Sequence, residues 1–151
     1  GDGIQDLFWR NTNGANTIWL MDEEQIKERA AINTVGSSWA VAGTGDFDMD
    51  GMEDLFWHNP KTGSNSIWLI NGTDRKARGT LPSVKEGWRP LGVEEWDGDE
   101  MADILWKYSG KTDDNKHALW RINGTSVISN KGMTYYTSSD WKSVAVGNVS
   151  N

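Results

Sequence analysis

Aspartates spaced one residue apart on a loop that also holds a glycine are oxygen donors laid out for a hard cation. The run Asp46-Phe47-Asp48-Met49-Asp50-Gly51-Met52-Glu53-Asp54 places carboxylates at loop positions 1, 3, 5 and 9 and glycine at position 6. Ca²⁺ takes about six to eight oxygens, and alternate carboxylates on a tight turn supply them. Gly51 permits a sharp turn that a Cβ would strain, and the carbonyl of Met52 is a further candidate ligand. The run opens like an EF-hand loop but closes differently. Position 12 is Trp57 where an EF-hand has glutamate, and Leu55-Phe56-Trp57 reads as a strand. A calcium loop joining two strands is the expectation; a solvated acidic turn is the alternative.

The loop recurs. Glu95-Trp96-Asp97-Gly98-Asp99-Glu100-Met101-Ala102-Asp103 carries acids at the same four positions, Glu95, Asp97, Asp99 and Asp103, with Glu100 in the glycine place. Asp2, Gly3 and Asp6 match positions 5, 6 and 9 of an earlier copy. Tryptophan confirms the period. Trp9, Trp57 and Trp106 share one register, Trp19, Trp68 and Trp120 a second, and Trp39, Trp88 and Trp141 a third. Nine of the ten tryptophans thus fall on one repeat of about 49 residues, which identifies a repeat architecture.

Each repeat must position its acidic loop between short strands. In the second, Ala40-Val41-Ala42-Gly43-Thr44 leads into the loop, and Leu55 to Asn59 follows it. Ser66-Ile67-Trp68-Leu69-Ile70 then closes at Asn71-Gly72, a strong hairpin signal, before a polar strand from Arg75 to Leu81. Consecutive apolar residues in the middle strands imply cover on both faces. Four strands per unit is a propeller blade. The fold class is therefore all-β, with repeats over about 1–45, 46–94 and 95–147 and the start of a fourth at 148–151.

Composition narrows the function. The net charge of −7 and the lack of a basic stripe argue against nucleic acid. Ten of the 22 acids sit at candidate ligand positions, so three bound Ca²⁺ would bring the charge to about −1. Cysteine is absent, and no apolar run approaches the roughly 20 residues that span a bilayer. No nucleophile elbow, Cys/His pair or phosphate loop is present, which points away from an enzyme. Asn71, Asn123 and Asn148 head N-x-Ser/Thr sequons, relevant only in a eukaryotic secretory setting. His58 aligns with Arg10 and Lys107 and reads as a polar strand end.

The combination of Asp-Phe-Asp-x-Asp-Gly-x-x-Asp-Leu-Phe-Trp with Ile-Trp-Leu-Ile-Asn-Gly-Thr resembles the FG-GAP/VCBS repeat family. That family includes integrin-α-like propellers and Trp-rich bacterial propeller lectins. The resemblance implies a calcium-binding, extracellular or cell-surface, non-enzymatic module whose partner is a glycan or a cell-surface protein. Trp39, Trp88 and Trp141, at the loops entering each inner strand, are the candidate sugar platforms; the other strand tryptophans are expected in the core. Three blades do not close a ring. Asn148-Val149-Ser150 match loop positions 1 to 3, while Gly1-Asp2-Gly3 match 4 to 6. Either two chains join head to tail as six blades, or the chain is a stretch of a longer propeller.

Overall fold

The computed structural model describes residues 2–110 and 116–134. Among them are eleven strands and no helix, in three antiparallel sheets. The first sheet has three strands, β1 (Leu7–Arg10), β2 (Asn16–Asp22) and β3 (Gln25–Ile32). The second has β4 (Ala40–Gly45), β5 (Asp54–Asn59), β6 (Ser64–Asn71) and β7 (Asp74–Leu81). The third has β8 (Trp88–Glu94), β9 (Asp103–Tyr108), β10 (Lys116–Asn123) and β11 (Ser126–Thr134). In both complete sheets the strands follow in chain order, as in a propeller blade. The sheet unit begins one strand earlier than the sequence unit: β4 precedes the acidic loop yet pairs with β5 behind it.

The middle strands are covered on both faces, as their unbroken apolar runs require. All six residues of β5 are buried, and so are six of the eight in β6. Outer strand β7 alternates between exposed and half-buried positions, as an edge facing water on one side must. One core cluster joins the second and third sheets through Phe47, Phe56, Ile67, Ile104, Trp106 and Ile122. A second joins the first and second through Ile18, Leu55, Trp57, Trp68 and Ile70.

The inner strands of the second and third sheets approach closely, and glycine makes room for it in β4. A Cβ on Gly43 would lie 2.5 Å from a Val93 methyl, and one on Gly45 would lie 2.5 Å from Ala102 Cβ. The β2–β3, β6–β7 and β10–β11 hairpins turn through Glu23, Gly72 and Gly124, with φ of 54°, 59° and 56°. Glu23 thus occupies a left-handed position that its two counterparts fill with glycine.

Trp57, Trp68, Trp106 and Trp120 are core residues, as expected. Trp9 is not: it is 49 % exposed, and Trp19 is only partly covered. Among the described residues no sheet packs on the far side of β1, so the face that Trp57 and Trp106 bury is open at Trp9.

Candidate functional site

The two complete acidic loops fold as cages. Carboxylate oxygens of Asp46, Asp48 and Asp50 come within 4.8 Å of one another, and so do those of Glu95, Asp97 and Asp99. Local hydrogen bonds produce this convergence. Asp46 Oδ1 accepts from the amides of Asp48 and Asp50 (both 3.2 Å), and Oδ2 from Gly51 (2.7 Å). Each loop needs two left-handed residues: Met49 and Gly51 (61° and 78°) in one, Gly98 and Glu100 (84° and 67°) in the other. Glycine has simply exchanged places. Glu100 therefore preserves the turn at a conformational cost, and the third loop converges in spite of it.

Asp54 and Asp103 lie outside these groups of converging oxygens and do different work. Asp54, fully buried, accepts from the amides of Phe47 (3.0 Å) and Ile70 (2.8 Å). Asp103 Oδ1 accepts from Ile122 (3.0 Å), and Asp6 Oδ1 from Met21 (2.9 Å). Position 9 is thus the same backbone anchor in all three repeats, set where each outer hairpin carries its register shift. Burial pushes Asp54 up to about 7, against two backbone hydrogen bonds that pull it down, and the nearby Asp48 and Asp50 add to the rise. Asp103 is raised to about 6, again chiefly by burial. Such values suit an acid catalyst, but Asp54, fully buried with both oxygens held by amides, has no path to a substrate.

Each cage already holds a side-chain cation. Lys76 Nζ, from β7, lies 2.8 Å from Asp48 Oδ2 and 3.2 Å from Asp50 Oδ2. Arg121, from β10, pairs with Asp97 and reaches within 3.8 Å of Asp99. The first loop is not assembled among the described residues: exposed Asp2 accepts from Ile4 (3.1 Å), with Lys27 3.8 Å away. Met52 donates its amide to Asp50 Oδ1 (3.0 Å).

The loop also fastens one blade to the next. Ala102 N–H donates to the Asp46 carbonyl and Gly124 N–H to the Phe47 carbonyl, both at 2.7 Å. Phe47 is completely buried between the two sheets. Trp96, its counterpart in the third loop, is 38 % exposed.

The first 57 residues match the model of the FG-GAP-like repeat family. This segment is an FG-GAP-like repeat. Its Asp46-to-Trp57 stretch is the motif that Glu95 to Trp106 repeats in the next blade. No curated protein and no solved structure matches the chain.

The candidate platforms separate. Trp39 is half-buried against the first seam's core, while Trp141 lies outside the described residues. Trp88 packs on Tyr108 at 5.5 Å and lines an open cleft of about 210 Å³ with Trp106, Trp120, Val84, Lys85 and Asn130. The two seams differ in one side chain beside this place. In the first seam Arg10 stacks over Trp57 at 5.0 Å and donates to Asn16 and to the carbonyls of Val35, Gly36 and Trp39 (2.9–3.2 Å). Its counterpart His58 bonds Asn65 at 2.8 Å and sets its edge on Trp106, but it is too short to repeat Arg10's reach. The counterpart carbonyls belong to Val84, Lys85 and Trp88, all on the cleft wall. His58 is accordingly a buried seam residue and not a polar strand end.

Two outcomes follow. A carboxyl raised on folding stabilises below about pH 4, and that stability is lost as pH rises through the folded value. In chelator, the melting temperature therefore falls between about pH 4 and 7 as Asp54 and Asp103 ionise. Millimolar calcium flattens that fall by compensating the charge; scanning calorimetry across this range with and without calcium checks it. Second, Lys76→Met lowers stability in chelator but enlarges the calcium-induced rise in melting temperature, since the ion no longer competes with an ammonium.

Proposed function

We propose that this propeller-type repeat chain is a non-enzymatic, calcium-binding module that recognises saccharides. The observation that carries the reading is the cleft in which half-buried Trp88 stands beside the buried Trp106 and Trp120, around a volume below the roughly 300–1,000 Å³ of drug-sized pockets. An indole face stacks on the apolar face of a pyranose, and the carbonyls around Val84 and Trp88 accept from its hydroxyls. A ring of that size suits a terminal sugar.

Calcium supports the site from below. The two cages lie at the corners that join inner strand to middle strand, and metal bound only to the folded form adds stability by mass action. Lys76 and Arg121 hold these carboxylates already, so displacement weakens the net affinity. Weak sites on the order of 10⁻⁴–10⁻³ M are filled outside cells, which favours a secreted or cell-surface setting. A second reading, a protein-binding adhesion module, is favoured by Trp9 and Trp96, large apolar side chains exposed at opposite ends of the described blades.

A glycan array probed with and without calcium tests the choice. Binding to a defined set of terminal sugars, lost in Trp88→Ala by at least about tenfold (about 1.4 kcal/mol) while the melting temperature holds, is the expected result. No binding to any glycan, with calcium stabilisation intact, moves the function to the protein-binding reading. Turnover of a glycan overturns both.

A further inference from the structure

The seam between the first and second sheets and the seam between the second and third share one backbone frame. In each, a valine amide donates to a glycine carbonyl at 2.9 Å, Val35 to Gly14 and Val84 to Gly63. Each loop then turns onto its tryptophan: Trp39 N–H donates to the Gly36 carbonyl at 3.1 Å, and Trp88 N–H to that of Lys85 at 3.2 Å. The side-chain oxygen of an asparagine meets a basic residue from the neighbouring strand, Asn16 with Arg10 at 2.9 Å and Asn65 with His58 at 2.8 Å.

Beyond that bond the two seams part. The Arg10 guanidinium lies 5.0 Å over the Trp57 ring, and its Nη2 donates to the carbonyls of Val35, Gly36 and Trp39. The residues aligned with these four are Trp106, Val84, Lys85 and Trp88, and all four line the cleft of about 210 Å³. His58 ends at Asn65 and the edge of Trp106 and bonds none of the three carbonyls. Among the described residues nothing donates to the Val84 carbonyl. The first seam therefore shows which chemical group the second seam's cleft is lined to hold: a nitrogen cation.

Such a cation is attracted by the indole face, more strongly where water is excluded, and makes the stronger kind of hydrogen bond to a carbonyl. No carboxylate lines the cleft, so no acid on its wall already supplies a counter-charge. Ser83 and Asn130 also line it, and their hydroxyl and amide suit an occupant that carries hydroxyls as well as a charge. We propose that the cleft selects saccharides bearing a protonated amino group, whose ammonium takes the place that the Arg10 guanidinium holds one seam earlier. This rests on the saccharide reading of the cleft and names the class of sugar within it.

Titration calorimetry on the 151-residue chain in calcium tests the selection. The probes are methyl glycosides of glucosamine and galactosamine, their N-acetylated forms and the neutral parent sugars, at about pH 6, where such an amine is charged. The amino sugars are expected to bind at least about tenfold more tightly than either of the other sets. Equal or tighter binding of the neutral forms overturns the proposal and leaves the saccharide reading standing. Silence from all of these and from the glycan array overturns both. Methylguanidinium bound in the absence of any saccharide binding also overturns the proposal, since the occupant is then not a sugar.

Two variants locate the site. His58→Arg rebuilds the arrangement of the first seam, so amino-sugar binding is expected to vanish while the melting temperature holds or rises. Binding that persists undiminished in that variant places the sugar elsewhere and overturns the proposal. Lys85 is exposed, and its ammonium opposes a cation in the cleft. Lys85→Met is therefore expected to tighten amino-sugar binding by about twofold, the scale of an exposed charge pair. Weaker binding in Lys85→Met is the mark of an anionic ligand and overturns the proposal.

Discussion

A carboxylate accepting a main-chain amide holds the corner on which each blade turns, and in the second blade buried Asp54 accepts two. Asp54 ties the start of its loop, through Phe47, to the far end of the neighbouring strand, through Ile70. The loop cannot then open without stranding both amides, and Phe47 is fixed where it can leave its own sheet and enter the next. Its carbonyl and that of Asp46 receive amides from the third sheet. Charge burial, loop shape and the joining of blades are one arrangement. Its cost is visible in the raised pKa values of Asp54 and Asp103, and the outer carboxylates gather cations around that charge.

The seams between blades show how one frame yields different chemistry. Asn16 and Asn65 do the same job, each donating from Nδ2 to two loop carbonyls, Gly14 and Asn33 in one seam and Gly63 and Pro82 in the other. Upon this shared frame Arg10 fills its seam and ties the loop down, whereas His58 leaves a cleft beside Trp88. The tryptophans behind the two side chains are buried in both seams; what differs is the space beside the loop.

Much of this was legible in the residues. The tryptophan registers, the Asn-Gly turns and the repeated aspartates specify four-stranded units because burial on both faces leaves those strands no other pattern. Asp46, Asp48 and Asp50 also converge as their alternate spacing implies. Other features depend on contacts between distant residues. Lys76 reaches Asp48 from 28 residues away on the outer strand, so spacing within the loop carries no sign of it. Asp54 looks like a fourth ligand from its position, and only the closing of the sheet turns both its oxygens to backbone amides. Arg10 and His58 align plainly, but their effect on the seam comes from carbonyls of the following loop. Trp9 departs from its register-mates because no sheet among the described residues covers its face.

The division of labour within the acidic loop is the point on which this picture stands. It is measured most directly by the unfolding free energies of Asp54→Ala and Asp50→Ala, each determined in chelator and in calcium. Losing Asp54 leaves two buried amides without acceptors, so a loss of about 3 kcal/mol is expected, nearly the same in both solutions. Losing Asp50, which meets Lys76 at the surface, costs under about 1 kcal/mol in chelator. Its larger effect is to shrink the calcium response. Equal losses for the two substitutions, or an Asp54 effect present only with calcium, would make position 9 an ordinary ligand and contradict the picture.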